Sequence, residues 1–204
     1  MYIPKHYRVE DRQKLLSFMK EFSFATLVCI QDNVPAASHV PFIVSEDGEQ
    51  VVLLTHLARQ NPQWQHLLEG QEALVIFQEP HAYVSPSLLE KELNVPTWNY
   101  CAVHAYGKAS EISKPEHMLA AMERSINTYE PEYLKQFRNM PEKFVNGLLK
   151  GIVMLEIKVS KLEGKYKLSQ NKSAADRYNV RESMLNSSDS IIRRTGELMQ
   201  EEEN

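Results

Sequence analysis

Residues 56–64, HLARQNPQW, stand between the apolar run VVLLT and a proline-led helix start, and their polar side chains are of the kind that holds an anion. Asn61 is a favoured N-cap, and Pro62 at the first helical position gives up an N–H that had no partner within the helix. The helix this predicts, QWQHLLEG, would open with free backbone N–H groups and a positive dipole end beside the Arg59 guanidinium and the Thr55 hydroxyl. His56 adds a donor. The Arg59 charge persists at every physiological pH, so a dianionic phosphate would be held without a titrating group. The same spacing also suits a plain helix start with a surface arginine.

A second group lies in KYKLSQNKSAADR, residues 165–177, where Lys165, Lys167, Lys172 and Arg177 accompany the donors Ser169, Gln170 and Asn171. Charge runs of this kind are also found as solvated surface. His39, His56, His81 and His104 fall on separate segments without the i, i+4 pairing of a helical metal site, and no metal is assigned. Ser85 near His81 lacks the G-x-S-x-G context of a nucleophile, so no catalytic residue is assigned either. Cys29 and Cys101 each sit in an apolar run and read as small buried hydrophobes.

The elements that must position these groups follow from periodicity. Asp11 caps a first helix with Leu15, Leu16, Phe18, Met19 and Phe22 on one face. FATLVCI (24–30), PAASHVPFIV (35–44) and QVVLLTHL (50–57) are strand-like and separated by the turn-forming QDN and SEDGE, which predicts an antiparallel meander. EALVIFQ (72–78), WNYCAVHAYGKASEI (98–112) and IVMLEIKVSKLEGKYKL (152–168) bring the strands to six. Between the last two, Met118, Leu119, Met122 and Ile126 recur at helical spacing, and Pro131 and Pro141 cut the stretch into short helices. This predicts an α+β fold in which six mainly antiparallel strands close into a small barrel or form an open sheet. The first domain spans 1–170 and includes a helical insertion over 114–150. A helical C-terminal segment, 171–204, follows, with the acidic tail EEEN frayed at its end.

With 204 residues, 43% hydrophobic and 25% charged, the composition is that of a globular protein with one main core. No apolar run approaches the roughly 20 residues a membrane helix needs, and MYIPKHYRVEDR lacks a signal-like apolar centre, so the expected location is the cytoplasm. A net charge of −4 gives no general attraction to nucleic acid. The one helix pair that could approach DNA, RESMLNSSDSIIRRTGELM, carries Arg193 and Arg194 but also Glu182, Asp189 and Glu197, so charge does not support direct DNA contact.

Five segments in order, MYIPKHY, HLARQNPQW, FQEPHAYVSPS, VPTWNYCAVHAYG and KLSQNKSAADR, resemble the PaiB family, described as transcriptional or negative regulators of sporulation and degradative-enzyme (protease) synthesis. The resemblance spans nearly the whole chain and implies an FMN-binding split barrel acting as a homodimer, with the flavin in a cleft between subunits. It implies that His39 lies near the cofactor, that Thr55, His56, Arg59 and Asn61 form the phosphate end, and that Lys167 and Gln170 approach from the late strand. A related oxidase pattern has arginine at the position matched to His39, a departure that bears on how tightly FMN is held. Trp98 and Tyr100 offer aromatic faces to the flavin ring or, the favoured reading, to a dimer interface. Two other functions fit the same features. One is a flavin-dependent oxidoreductase, for which no general acid or base is identifiable; the other is a haem-binding split barrel using the strand histidines.

Overall fold

The computed structural model describes residues 1–203 of the chain. One sheet carries β1 (Arg8–Val9), β2 (Phe24–Gln31), β3 (Val34–Pro41), β4 (Ile43–Asp47), β5 (Gln50–Ala58), β6 (Glu72–Val84), β7 (Thr97–Glu111) and β8 (Ile152–Lys167). Seven of them follow the order β3-β2-β6-β7-β8-β5-β4, and β1 pairs with β8. The helices are α1 (Arg12–Glu21), α2 (Gln63–Leu68), α3 (Pro115–Tyr129), α4 (Leu134–Arg138), α5 (Glu142–Leu149), α6 (Ala174–Leu185) and α7 (Ser190–Glu201). The fold is α+β and antiparallel as expected, with eight strands in place of six.

The extra strands have physical causes. PAASHVPFIV reads as one apolar run, yet the chain leaves β3 at Pro41 and enters β4 at Ile43, and these strands are the two ends of the sheet. Consecutive Cα atoms are about 3.8 Å apart, so a single intervening residue joins opposite ends only if the sheet curls. Phe42 pins that corner: its N–H donates to the Ser23 carbonyl at 2.8 Å and its ring is 1% exposed. β3 and β4 do not pair, so the barrel stays split. The expected meander is therefore two hairpins, β2–β3 and β4–β5, separated across the sheet. Asp32 and Asn33, both at positive φ, make the tight turn of the first hairpin. β1 is too short to show a period in the sequence.

Contacts divide the chain into two compact units, one of Met1–Leu15, Gln78–His104 and Glu163–Asn204, the other of Leu16–Phe77 and Ala105–Leu162. In the second unit β5 is buried on both faces. Leu53 and Leu57 face inward, while Leu54 joins Ile43 and Met154 beneath Met118 and Ala121 of α3, Phe137 of α4, and Val145 and Leu149 of α5. The helices between β7 and β8 thus cover an outer sheet face that would otherwise meet water.

In the first unit Tyr166, Leu168, Val180, Met184, Leu198 and Met199 are buried, and α6 and α7 are capped by Ser173 and Asp189. The acidic tail expected to fray is tied down as far as it is described. Glu201 accepts from Arg194 at 2.7 Å, Glu202 meets Lys14, and Glu203 lies 3.3 Å from Arg177 and also meets Arg181. Each carboxylate finds a cation of its own unit; Asn204 lies outside the described residues. Cys29 and Cys101 are buried and free, as their sequence context predicts.

Candidate functional site

The stretch HLARQNPQW folds as its caps dictate, and that folding uses up much of what it offered. Asn61 Oδ1 accepts from the Gln63 N–H at 3.0 Å, so the cap takes one of the helix-start N–H groups that would have met an anion. Asn61 Nδ2 donates to Ser38 Oγ at 2.9 Å. The Thr55 hydroxyl donates to the Pro41 carbonyl at 2.8 Å across the split of the barrel and is 3% exposed. His56 points to the opposite face, because strand neighbours alternate, and lies across from Met154 on the side the helices cover. Arg59 donates from Nε to the Lys150 carbonyl at 3.0 Å and from Nη2 to the Ile152 carbonyl at 2.8 Å. Lys150 ends α5, where carbonyls lack helical partners and the dipole favours a cation. The four residues are near in sequence, but the structure turns Thr55 and His56 apart and engages Thr55, Asn61 and most of Arg59 with the protein's own groups.

Two outcomes follow from these contacts. Asn61→Ala removes the cap and is expected to cost about 1 kcal/mol in urea unfolding. Burial lowers the pKa of His56, and burial followed by the charge of the N-terminus lowers that of His104. A lowered folded pKa means that the neutral ring's stability is present above the unfolded value, near 6.5, and is lost as pH falls through the folded value. The melting temperature is therefore expected to drop below about pH 6.5. His56→Gln should shrink that drop; an undiminished drop in the variant contradicts the assignment.

The second basic stretch assembles more completely. The Lys165 ammonium lies over the Tyr100 ring at 5.1 Å and the Tyr2 ring at 5.9 Å, and Lys167 lies over Tyr7 at 6.0 Å. Lys167 Nζ donates to Thr97 Oγ1 at 2.6 Å and to the Trp98 carbonyl, and Lys172 donates to Asn94 Oδ1 at 3.0 Å. No carboxylate pairs with any of these three lysines among the described residues. Burial lowers the pKa of Lys167, and the charges of Lys165 and Lys172 lower it further. Arg177 leaves the group for Glu203.

Gln170 works on the turn: its Oε1 accepts from the Leu168 N–H and its Nε2 donates to the Tyr166 carbonyl, each at 2.7 Å. These bonds hold Ser169 at φ 63°, from where its hydroxyl donates to Asn99 Oδ1 at 3.1 Å. Tyr7 donates to Asn171 Oδ1 at 3.1 Å. MYIPKHY, PTWNY and KLSQN, distant in sequence, therefore meet at one place. Asn99, fully buried, and Tyr2 and Tyr7 are the members that sequence reasoning did not single out, although each lies in a motif it quoted.

The remaining residues are placed as follows. His39 shares a 3.0 Å hydrogen bond with Thr26 on the β2–β3 sheet face. Trp98, about half exposed, lies 5.8 Å from Tyr83 and 6.0 Å from His81, ring centre to ring centre. Chemically, three clustered ammonium groups bind an anion, and the exposed aromatic faces beside Lys167 can stack a planar ring.

A curled antiparallel sheet whose two ends are joined at Phe42 is a split barrel, and solved structures share it. A FAD and heme binding protein from Mycobacterium smegmatis is 16% identical with a TM-score of 0.64, covering 84% of this chain and 78% of that one. The flavocytochrome Anf3 from Azotobacter vinelandii is 13% identical with a TM-score of 0.64, covering 81% and 72%. The chain belongs to the PaiB family of FMN-binding-domain proteins. The family described as "Putative FMN-binding domain" matches residues 1–161. "Protease synthase and sporulation protein PAI 2" of Bacillus subtilis (strain 168) is 37% identical over 98% of this chain and 97% of its own length. "Uncharacterized protein AN0679" of Emericella nidulans is 32% identical over 71% of this chain and 72% of its own length. The family makes FMN the cofactor to test, and the lysine group, with cations free of carboxylates and aromatic faces beside them, fits a flavin phosphate and ring.

Proposed function

We propose that this protein binds FMN, works as a cytoplasmic homodimer, and regulates degradative-enzyme synthesis and sporulation. The observation that carries the flavin reading is the convergence of three motifs on Lys165, Lys167 and Lys172, with no carboxylate among them. In this reading the lysines hold the phosphate, Gln170 fixes the turn that presents them, and Tyr100 and Trp98 face the ring. The lysines lie beyond the matched residues 1–161, so their role rests on geometry. FMN, when bound, supplies electron chemistry; the chain's part is to bind and orient it.

The dimer reading rests on a largely apolar sheet face. Phe24, Val28 and Ile30 of β2, opposite Pro41, Ala37 and Pro35 of β3, continue to Leu74 and Ile76 of β6, with Thr26 and His39 as polar members and Glu72 and Gln78 flanking them on β6. Phe24 is 68% exposed and Ile30 42%. An open apolar face of this size on an end strand suits a second copy of the chain. Regulation by direct DNA contact is disfavoured because two of the helix-pair cations are internally neutralised, Arg181 by Glu182 and Glu203, and Arg194 by Glu197 and Glu201, while Arg193 donates to the Ser187 carbonyl. No helix among the described residues is long and apolar enough to cross a membrane.

Untagged protein is expected to be yellow, to release FMN on denaturation, and to sediment as a dimer. Colourless protein that takes up no added FMN contradicts the flavin reading, and a monomer at high concentration contradicts the dimer.

A further inference from the structure

We propose that a cleft between the start of α3 and the end of α5 binds a small organic carboxylate with an apolar body. The cleft has a volume of about 390 Å3, in the range of small-molecule sites. Its rim carries Arg59, Lys150, Ser113 and Asn146, and its floor is Met118 and Leu149, 8% and 6% exposed. This ligand is separate from the flavin, because the cleft is built largely from the helices inserted between β7 and β8.

The rim is prepared for an anion. Arg59 is fixed on three sides, through Nε to the Lys150 carbonyl, through Nη2 to the Ile152 carbonyl, and by its face over Trp64 at 5.9 Å. Its Nη1 makes no bond among the described residues, so this edge is held in place without loss of side-chain freedom on binding. No carboxylate pairs with Lys150 among the described residues. Glu111 stands 3.9 Å from Arg59 Nη2, outside hydrogen-bond range. Two cations against one carboxylate leave a single positive charge, which a carboxylate balances and a dianionic phosphate overfills.

The surroundings orient the ligand. A neighbouring cleft shares Pro115 and Asn146 and carries Glu116, Glu142 and the Glu123–Arg138 ion pair on its rim above Leu119, Phe137 and Val145. Glu116 and Glu142 repel an anionic head, so the head stays at Arg59 and Lys150 while the apolar body lies over Met118 and Leu149 toward the second floor. The cationic rim selects an anion, and the apolar floor selects one with a hydrocarbon body over an inorganic ion.

Octanoate, octylamine and inorganic phosphate, each titrated into the full-length protein by calorimetry and followed at the Met118 methyl by NMR, test the proposal. Saturable octanoate binding that shifts the Met118 signal is expected, weakened at least tenfold in Lys150→Ala, with no saturable binding of phosphate or octylamine. Octanoate binding should persist in the presence of saturating FMN. The proposal is overturned if octanoate does not saturate, if Lys150→Ala binds it equally well, or if octylamine or phosphate matches it. Displacement by FMN also overturns it, by assigning the cleft to the flavin phosphate. Failure of the flavin reading itself is seen separately, as absence of FMN uptake by the wild-type chain.

Discussion

Lys165→Ala lowers the affinity for FMN by roughly tenfold to a hundredfold. A hydrogen bond to a charged group contributes about 1.5 to 3 kcal/mol, and each 1.4 kcal/mol is a factor of ten. Lys165 is the cleanest of the three lysines to remove, because among the described residues its ammonium touches only the Tyr2 and Tyr100 rings. Lys167 also bonds to Thr97 and the Trp98 carbonyl, so its loss would mix binding with folding. Lys165→Arg keeps the charge and should retain most of the affinity. Because burial and two neighbouring ammonium groups lower the pKa of Lys167, affinity should also fall at alkaline pH earlier than for ordinary lysines. A fluorescence titration in which Lys165→Ala binds as wild type removes the lysines from the phosphate site.

Gly107→Ala should be the most damaging single-methyl change in the sheet. A Cβ on Gly107 would stand 2.3 Å from the Lys158 carbonyl oxygen and 2.9 Å from Ile157 Cγ2. The oxygen belongs to β8, the strand next to β7, and backbone in the middle of a sheet cannot step aside as a side-chain tip can. The expected cost is about 3 kcal/mol, at the upper end of overpacking penalties. Gly147→Ala is the matched control. It lies in α5 with nothing within 4 Å of its added Cβ, so the change should stabilise by about 0.5 to 1 kcal/mol. Urea unfolding of the two variants should move in opposite directions; a Gly107→Ala protein as stable as wild type contradicts the close strand approach.

Much of this architecture is legible in the residues themselves. Asp11 and Asn61 cap as their types predict, accepting from Gln13 and Gln63 N–H groups at 2.9 and 3.0 Å. QDN makes its hairpin turn, and Pro131 and Pro141 punctuate the helices. What periodicity does not reveal is where neighbouring strands land. Residues 35–44 look continuous because apolar residue types run on through Phe42, although β3 is exposed or half-buried and Ile43 and Val44 are buried, and only the pairing order shows that the chain switches ends of the sheet there. The β6 strand continues past Gln78, its end as predicted from the sequence, to Val84. His81 and Tyr83 alternate with buried Ala82 and Val84 in a stretch whose proline and polar residues resemble a loop.

The candidate site divides along similar lines. Residue type identified the donors in HLARQNPQW, but type alone does not say which acceptors of the protein's own backbone will reach them first. Arg59 meets the carbonyls of Lys150 and Ile152, more than ninety residues later in sequence. The lysine stretch was visible as a charge run; its freedom from carboxylates is a property of long-range packing. The tail of glutamates turns away from it to Lys14, Arg177, Arg181 and Arg194.

The most direct measurement compares FMN with riboflavin on the wild-type protein at low salt. The two ligands share the ring system and differ in the phosphate, so three unpaired lysines around that group require FMN to bind at least a hundredfold more tightly, with the gap narrowing as salt is added. Equal affinity for the two, or a preference for riboflavin, would show that no phosphate is held by Lys165, Lys167 and Lys172.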